Sequence, residues 1–279
     1  MNLLVTGGTG LLGSAVLAAA SSMDVSATFH HARGTRPGVT WLPLDLRAPD
    51  AAARVVDAAK PDVVIHTAIA IAPGDLLPVI VEGSERIAQA ARAAGAALIH
   101  VSSDMVFDGR SGPFGEDAPL SPITPYGRAK ARAEVHVRAA DPGAVIVRCS
   151  LLYRLDPPDR SLAAWLEGPD GTPSYPLFVD EIRCPAAVDD VARALVELAL
   201  RLALGEAAPP VLHAVGPAAI SRYDFGRLAC EALGRDPAIV QGARSDDTRP
   251  RELVLTTERT PSWFTAGIRP PLEVRRASP

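Results

Sequence analysis

A glycine-rich turn directly after an apolar run constrains the fold of this chain more than any other feature. The run Leu3-Leu4-Val5 precedes Gly7, Gly10 and Gly13, which are spaced G-x-x-G-x-x-G, and a helix-type stretch follows over residues 14–20. In such a strand–turn–helix unit the first glycine permits the tight turn, the second lets the backbone approach a phosphate, and the third lets the helix pack closely. The helix N-terminus then offers unpaired N–H groups to an anion. We therefore predict a dinucleotide pyrophosphate site here; the alternative is a glycine turn that binds no ligand.

Strand-type and helix-type segments alternate along the first half of the chain. Strands are predicted at residues 3–6, 25–29, 41–44, 63–66, 97–101 and 144–148. Besides the helix after the glycines, helices are predicted at residues 51–59, 76–94 and 125–139. This alternation is typical of a parallel sheet with helices on both faces and right-handed crossovers. The predicted fold class is α/β, a Rossmann-type doubly wound parallel sheet.

The composition of the sequence changes after residue 150, where proline, glycine and aspartate become frequent. The predicted elements are loops at residues 156–158 and 168–176, helices at 188–204 and 221–233, and a strand at 211–215. Open α/β sheets bind their ligands outside the carboxyl ends of the strands. We therefore expect residues 1–150 to form an NAD(P)-binding Rossmann domain. Residues 151–279 should form mostly a smaller substrate-binding lobe, with the chain free to cross between the two.

Composition and charge exclude several classes of function. The chain has 279 residues, of which 48% are apolar, enough for a large hydrophobic core. A net charge of −4 argues against nucleic-acid binding. The sequence contains no run of 18 apolar residues, so no membrane span is predicted. The first residues enter a strand at once, so no secretory signal is predicted and the cytoplasm is the expected compartment.

Neither a metal site nor a disulfide framework is predicted. Cys149, Cys184 and Cys230 are far apart and odd in number, and no two histidines have the spacing of a zinc-binding helix. The expected partner is a small-molecule substrate, and the sequence leaves the oligomeric state open between a monomer and a homodimer.

The segment after the second predicted strand indicates which dinucleotide binds. NAD-binding units of this type place a carboxylate there to hold the ribose 2′-hydroxyl. Residues 28–33 contain no carboxylate but include Arg33, and Arg36 follows. Because a guanidinium suits a 2′-phosphate, we favour NADP(H) over NAD(H); the alternative is that both arginines are solvated loop residues. Asp45, just after the third strand, is a candidate for the adenine amino group or for a helix cap.

A tyrosine, a lysine and a serine form the candidate catalytic set. Tyr126 and Lys130 are four residues apart in a predicted helix, so they share one face, and Ser103 follows the strand at residues 97–101. A phenol titrates near pH 10, so catalysis at neutral pH favours a fall of roughly three units, about 4 kcal/mol. A neighbouring ammonium and an oxidised cofactor act in that direction.

With these residues in view, the chain resembles the extended short-chain dehydrogenase/reductase family, and within it the dTDP-4-dehydrorhamnose reductases. The resemblance rests on residues 6–13, 101–109, 125–130 and 148–150. A weaker similarity extends over residues 188–192, 213–216 and 249–251. It implies that Ser103 positions a carbonyl, that Tyr126 donates a proton, and that Lys130 lowers the pKa of the tyrosine and holds the nicotinamide ribose. It also implies that Thr67 and Ala68 line the cofactor.

The glycine turn and the resemblance together give the predicted site residues. The cofactor set is Gly7, Thr9, Gly10, Leu11, Leu12, His30, Arg33, Asp45, Leu46, Thr67, Ala68, Tyr126 and Lys130. The substrate set is Ser103, Asp104, Met105, Arg148, Ser150, Leu151 and Arg249, in which the arginines, together with Arg251, are candidates for a substrate pyrophosphate.

The sequence departs from the family pattern at several positions. Met105 stands where the family often has tyrosine, Leu151 where it has an aromatic residue, Ala15 where some members have a metal-linked glutamate, and Ile80 where asparagine is common. The predicted function is NADPH-dependent reduction of a nucleotide-linked 4-keto-deoxysugar. The alternatives are a sugar-nucleotide epimerase or dehydratase, against which the absence of a base at Met105 argues, and a non-catalytic NADP-binding regulatory protein.

Overall fold

A seven-stranded parallel sheet lies at the centre of the molecule. The computed structural model describes residues 1–70, 72–159, 162–163 and 177–271, so the loop predicted at 168–176 lies outside the described residues. The strands are β1 (Asn2–Thr6), β2 (Asp24–Phe29), β3 (Val39–Pro43), β4 (Val63–His66), β5 (Ala97–Ser103), β6 (Val145–Cys149) and β7 (Val211–Ala214). Their order in the sheet is β7-β6-β5-β4-β1-β2-β3, and every neighbouring pair is parallel. The strand order reverses at β1, which places the ligand crevice at the carboxyl end of that strand.

Helices cover both faces of the sheet, as predicted. They are α1 (Leu11–Ala19), α2 (Ala51–Ala59), α3 (Gly83–Ala93), α4 (Pro125–Ala140), α5 (Val188–Ala203), α6 (Arg222–Ala232) and the single turn α7 (Ser262–Thr265). Helices α1 and α5 pack together on one face, while α2, α3 and α4 pack on the other. Successive residues of β1 alternate between the two cores, because strand side chains point to opposite faces: Leu3 and Val5 join the first core and Leu4 the second.

The single helix predicted at residues 76–94 is wrong over its first part. A 3-10 turn at Pro73–Asp75 leads into a π-helix at Leu76–Glu82, and α3 begins only at Gly83. Pro78 has no amide hydrogen and its ring crowds the preceding turn, so the regular α-helical ladder cannot run through it. The wider π turn accommodates this defect, and the amide of Gly83 donates to the carbonyl oxygen of Pro78.

The chain after residue 150 contributes to the sheet as well as to a smaller lobe. Strand β7 pairs with β6, and α5 packs on α1, so both elements complete the Rossmann layers. The lobe has its own apolar core, which includes Tyr153, Leu177 and Phe225. Its short strands are Leu152–Tyr153, Leu177–Phe178, Ile182–Arg183, Ala186–Ala187, Ile220–Ser221 and Gly242–Ala243. Within the described ranges, no helix is both long enough and apolar enough to cross a membrane.

Candidate active site

The glycine turn follows β1 and is held against the end of β2. Gly7 has a φ of +70°, and a Cβ built on it would lie 2.7 Å from the Cα of Ala68. Its amide donates to Thr28 Oγ1 at 3.0 Å, and the next amide, of Gly8, donates to the Thr28 carbonyl oxygen at 2.9 Å. A Cβ on Gly13 would collide with the carbonyl oxygen of Gly7, so glycine is required for α1 to pack this closely.

The N-terminus of α1 has no side-chain cap, and it faces a groove at the carboxyl ends of β1 to β4. Its N-cap residue is Gly10, which makes no side-chain hydrogen bond to the first turn. Amide N–H groups at such an end bind a pyrophosphate well, because they carry partial positive charge and need acceptors. The exposed backbone of the turn and the uncapped helix therefore fit a dinucleotide.

A groove of about 530 Å³ runs along the carboxyl ends of β1 to β4. The predicted cofactor residues that line it are Gly7, Thr9, Gly10, His30, Asp45, Leu46, Thr67 and Ala68. Arg33 is exposed outside this groove. Arg36 instead lines a neighbouring recess of about 490 Å³, which shares Thr9 with the groove.

A basic residue absent from the prediction, Arg47, also lines the groove. Its guanidinium donates to both carboxylate oxygens of Asp45, at 2.9 Å each, and its Nη2 also donates to His30 Nε2 at 3.1 Å. Hydrogen bonding from Arg47 lowers the pKa of Asp45 to about 2. The acidic side chain expected near the adenine is therefore ionised and shared with an arginine. The spacing Asp45-Leu46-Arg47 is the only sequence signal for this contact.

Ser103, Tyr126 and Lys130 lie together at the carboxyl end of β5. Ser103 is the last residue of β5, and Tyr126 lies in the first turn of α4, which Thr124 caps by accepting from the amide of Gly127 at 3.0 Å. A Cβ on Gly127 would collide with the carbonyl oxygen of Met105, so this glycine lets α4 approach the turn after Ser103. The Ser103 hydroxyl lies near enough to the Tyr126 phenol to favour its ionised form and so to lower its pKa.

Lys130 lies one turn further along α4, in the interior. Its side chain is 2% exposed, and Nζ donates to the carbonyl oxygen of Val101 at 2.7 Å. Burial lowers the pKa of Lys130 to about 8, and the nearby carboxylate of Glu134 acts in the opposite direction. The side chain is therefore an ammonium at neutral pH.

The pKa of Tyr126 moves in the opposite direction from the expected one. Burial and the negative charge of Asp104 raise it to about 12, and hydrogen bonding with Ser103 offsets only part of this. The expectation of a pKa near neutrality is wrong for the protein alone, because burial and the neighbouring carboxylate of Asp104 both disfavour the phenolate. At neutral pH the side chain is a protonated phenol, which is the form that can give a proton to an alkoxide.

Asp104 is a buried carboxylate beside this set. It accepts hydrogen bonds from Ser103 Oγ at 3.1 Å, from Ser150 Oγ at 2.7 Å and from Arg183 Nη1 at 2.8 Å. The Nη2 of Arg183 reaches Met105 Sδ at 3.1 Å. Arg183 belongs to the smaller lobe, and nothing in its local sequence indicates that it would reach the end of β5.

Three other predicted substrate residues lie in different surroundings. Arg148 is 4% exposed beneath α4, where it is paired with Glu134 rather than standing beside Ser103. Arg249 pairs with the buried carboxylate of Glu181 in the smaller lobe, and Leu151 packs on the apolar core of that lobe. The structure therefore groups Ser103, Asp104, Met105 and Ser150 and separates Arg148 from them.

The sequence profile of a family described as the RmlD substrate binding domain matches residues 1–270. The dTDP-4-dehydrorhamnose reductase of Mycolicibacterium smegmatis is 32% identical over 219 residues, which cover 76% of this chain and 62% of that protein. Methionine adenosyltransferase 2 subunit beta of Danio rerio is 27% identical over 274 residues, 92% of this chain and 83% of that protein.

Solved structures share the same fold. The Bordetella bronchiseptica enzyme WbmH in complex with NAD+ superposes with a TM-score of 0.79, covering 98% of this chain and 95% of that one at 18% identity. The similarity confirms the predicted Rossmann-type architecture over nearly the whole chain.

Proposed function

Because the chain belongs to the family described as the RmlD substrate binding domain, we propose that it is an NAD(P)-dependent oxidoreductase that reduces a nucleotide-linked keto sugar. The observation that carries the proposal is that Ser103, Tyr126 and Lys130 gather at the end of β5, two strands from the strand that precedes the glycine turn. A phenol, an ammonium and an alcohol at the same edge of the sheet as a dinucleotide groove can protonate a carbonyl oxygen during hydride transfer.

The proposed chemistry divides between the cofactor and the side chains. A reduced nicotinamide supplies the hydride that the carbonyl carbon accepts. Ser103 turns its one hydroxyl hydrogen from Asp104 to the carbonyl oxygen and thereby fixes the substrate. Tyr126, protonated at neutral pH, gives its phenolic proton to the oxygen as the negative charge develops there. The carbonyl thus gains a hydride and a proton, and the tyrosinate is reprotonated from solvent before the next turnover.

Lys130 stabilises the negative charge that Tyr126 acquires. Its ammonium is held by the Val101 carbonyl oxygen at 2.7 Å, so its position is fixed before substrate arrives. A fixed cation in a water-poor site stabilises a developing anion without reorganisation during the reaction. The lysine also has donors left to hold the cofactor ribose.

NADPH is the proposed cofactor. The groove carries histidines, not a carboxylate, directly after β2, where an NAD-binding chain needs an acidic side chain. Arg36 lines the adjoining recess, in which none of the described lining residues is acidic, and Arg33 is exposed nearby. These two guanidinium groups are the proposed ligands of the 2′-phosphate.

The proposed substrate is a nucleotide-linked 4-keto-deoxysugar, as the name of the mycobacterial relative suggests. Its contacts are assigned to Ser103, Asp104, Met105, Ser150, Leu151 and Arg249. Arg183 takes the place of Arg148 in this set, because Arg148 is enclosed beneath α4 while Arg183 touches Asp104 and Met105.

The proposal is tested by following NADPH oxidation at 340 nm with a panel of ketones. The panel holds dTDP-4-dehydrorhamnose, the same sugar without its nucleotide, and a simple aliphatic ketone. Oxidation that requires the nucleotide-linked ketone supports the proposal. No oxidation with any member of the panel, by protein that binds NADPH, contradicts it.

A second candidate is a non-catalytic subunit. The similarity to methionine adenosyltransferase 2 subunit beta extends over more of both chains than the similarity to the mycobacterial reductase. A protein of this kind binds the dinucleotide without consuming it. NADPH binding without turnover on the panel, together with a stable complex in the presence of a methionine adenosyltransferase, favours this candidate.

A further inference from the structure

A buried ion pair lies beneath α4, one turn beyond Lys130. The carboxylate of Glu134 is 4% exposed and accepts from Arg148 Nε at 3.1 Å and Nη2 at 2.9 Å. It also accepts from Ser102 Oγ at 2.5 Å. Ser102 and Arg148 are direct partners on the neighbouring strands β5 and β6, so Glu134 lies over a cross-strand pair that binds it from both sides.

This contact is one of two that join neighbouring residues of β5 to α4. The carbonyl oxygen of Val101 accepts from Lys130, and the next residue, Ser102, donates to Glu134 one helical turn further along α4. A shift of α4 along β5 would break both contacts together. The hydrogen bond between Ser102 and Glu134 therefore fixes the register that brings Tyr126 and Lys130 to Ser103.

The charge of Glu134 also acts on Lys130. Three further titratable groups in the described part of the chain interact with this lysine, and all three are uncharged at neutral pH. Burial lowers the pKa of His66 to about 3 and that of His100 well below its ordinary value, and it raises the pKa of Cys149 to about 12. Among the described groups that favour the charged form of Lys130, Glu134 has the largest effect.

We propose that Glu134 is a positioning residue for the catalytic pair: clamped by Ser102 and Arg148, it sets the register of α4 on β5 and holds a negative charge one helical turn from Lys130. Its role in catalysis rests on the proposed function. Its effect on Lys130 exists in the protein alone and needs neither cofactor nor substrate.

The composition of the chain permits a direct measurement on Lys130. Only two lysines occur, Lys60 and Lys130, so protein labelled with ¹³C at the lysine ε-carbon gives two signals. The Lys60→Arg variant removes one of them and assigns the other to Lys130. A pH titration of the remaining signal then reports the protonation of Lys130 directly.

The test compares Glu134→Gln with a matched control. Glu85→Gln removes a half-buried carboxylate that joins α3 to His136 of α4 but does not contact Lys130. Loss of a nearby opposite charge should lower the midpoint of Lys130 by about one pH unit or more. We expect this shift in Glu134→Gln and no shift in Glu85→Gln. An unchanged midpoint in folded Glu134→Gln protein overturns the proposal.

A second variant keeps the test decisive if Glu134→Gln does not fold. Glu134→Gln leaves the Arg148 charge buried without its partner, which is costly, whereas Glu134→Gln/Arg148→Met removes both charges together. The double variant should also lower the Lys130 midpoint, but by less than the single variant, because the Arg148 cation that opposes the Glu134 carboxylate is lost with it. Glu134 is the stronger influence on Lys130 of the two, so a midpoint that does not fall in the double variant overturns the proposal.

An activity measurement separates this inference from the proposed function. In Glu134→Gln the high-pH limb of kcat for ketone reduction should move to lower pH by the same amount as the Lys130 midpoint. A shift of the lysine signal in a protein that reduces no ketone supports the inference and contradicts the function. Ketone reduction by a variant whose Lys130 midpoint does not shift supports the function and contradicts the inference.

Discussion

Lys130 donates a hydrogen bond to the carbonyl oxygen of Val101 over 2.7 Å, so an ammonium on α4 is tied to the backbone of β5. Val101 lies two residues before Ser103 on β5, so the contact holds the ammonium near the carboxyl end of that strand. It places a cation in an interior that otherwise disfavours charge, which is why the pKa of the lysine is lowered to about 8.

The rate of ketone reduction should fall above about pH 8. The Lys130 ammonium is present below the pKa of about 8 and is lost as the pH rises through it. Because the pKa of Tyr126 is about 12, the phenol stays protonated over this range and causes no fall in the rate. The measurement is kcat/KM against pH. In Lys130→Arg the charge persists at all these pH values, so the limb should vanish; a limb that survives there contradicts the assignment.

Replacing Gly127 by alanine should displace α4 from the turn after Ser103. The new Cβ meets the Met105 carbonyl oxygen, so either the helix or the turn must move, at about 1–3 kcal/mol of unfolding free energy. We expect a lower kcat as Tyr126 moves away from Ser103. The control is Gly143→Ala, whose Cβ lies 3.4 Å from a side-chain oxygen of Asp141 and is accommodated. Equal effects of the two variants would contradict this account.

The ion pair of Asp104 with Arg183 should couple the smaller lobe to the sheet. Both side chains are buried, so Arg183→Met leaves a carboxylate without its partner and should cost about 3–5 kcal/mol in urea unfolding. The double variant Asp104→Asn/Arg183→Met should recover most of that stability. A loss below about 1 kcal/mol in the single variant, as for an exposed pair, would show that the pair is not buried in solution.

The preference for NADPH should depend on the arginines after β2. In Arg33→Ser/Arg36→Ser the dissociation constant of NADPH should rise by about tenfold or more, equivalent to about 1.4 kcal/mol, while that of NADH stays the same. Titration of nicotinamide fluorescence measures both constants. Arg54→Ser, an exposed arginine on α2, serves as the control. Equal changes in the dissociation constants of NADPH and NADH in the double variant would contradict the proposed contact with the 2′-phosphate.

Local patterns in the sequence predicted the framework of the site. The spacing of Gly7, Gly10 and Gly13 requires only the chain nearby, and the edge rule for parallel strands brings Ser103 to the end of β5. The four-residue spacing of Tyr126 and Lys130 fixes their common helix face.

Features that depend on distant segments could not be predicted. Arg183 pairs with Asp104, which lies 79 residues away in the chain. Arg148 on β6 pairs with Glu134 on α4. The raised pKa of Tyr126 follows from burial, which no spacing reveals. The π-helix around Pro78 shows that apolar periodicity gave the right position for a helical segment but the wrong hydrogen-bond pattern.

The most direct test is transfer of deuterium to dTDP-4-dehydrorhamnose from NADPH that carries deuterium at both C4 positions of the nicotinamide, followed by mass spectrometry of the sugar nucleotide. The unaltered protein should give a product that carries one deuterium and is one mass unit heavier than the product made with unlabelled NADPH. Tyr126→Phe should give almost no labelled product, although it should bind NADPH with nearly the same affinity. Labelling at an equal rate in Tyr126→Phe would contradict the assignment of Tyr126 as the acid, and unlabelled sugar from both proteins would contradict the reductase itself.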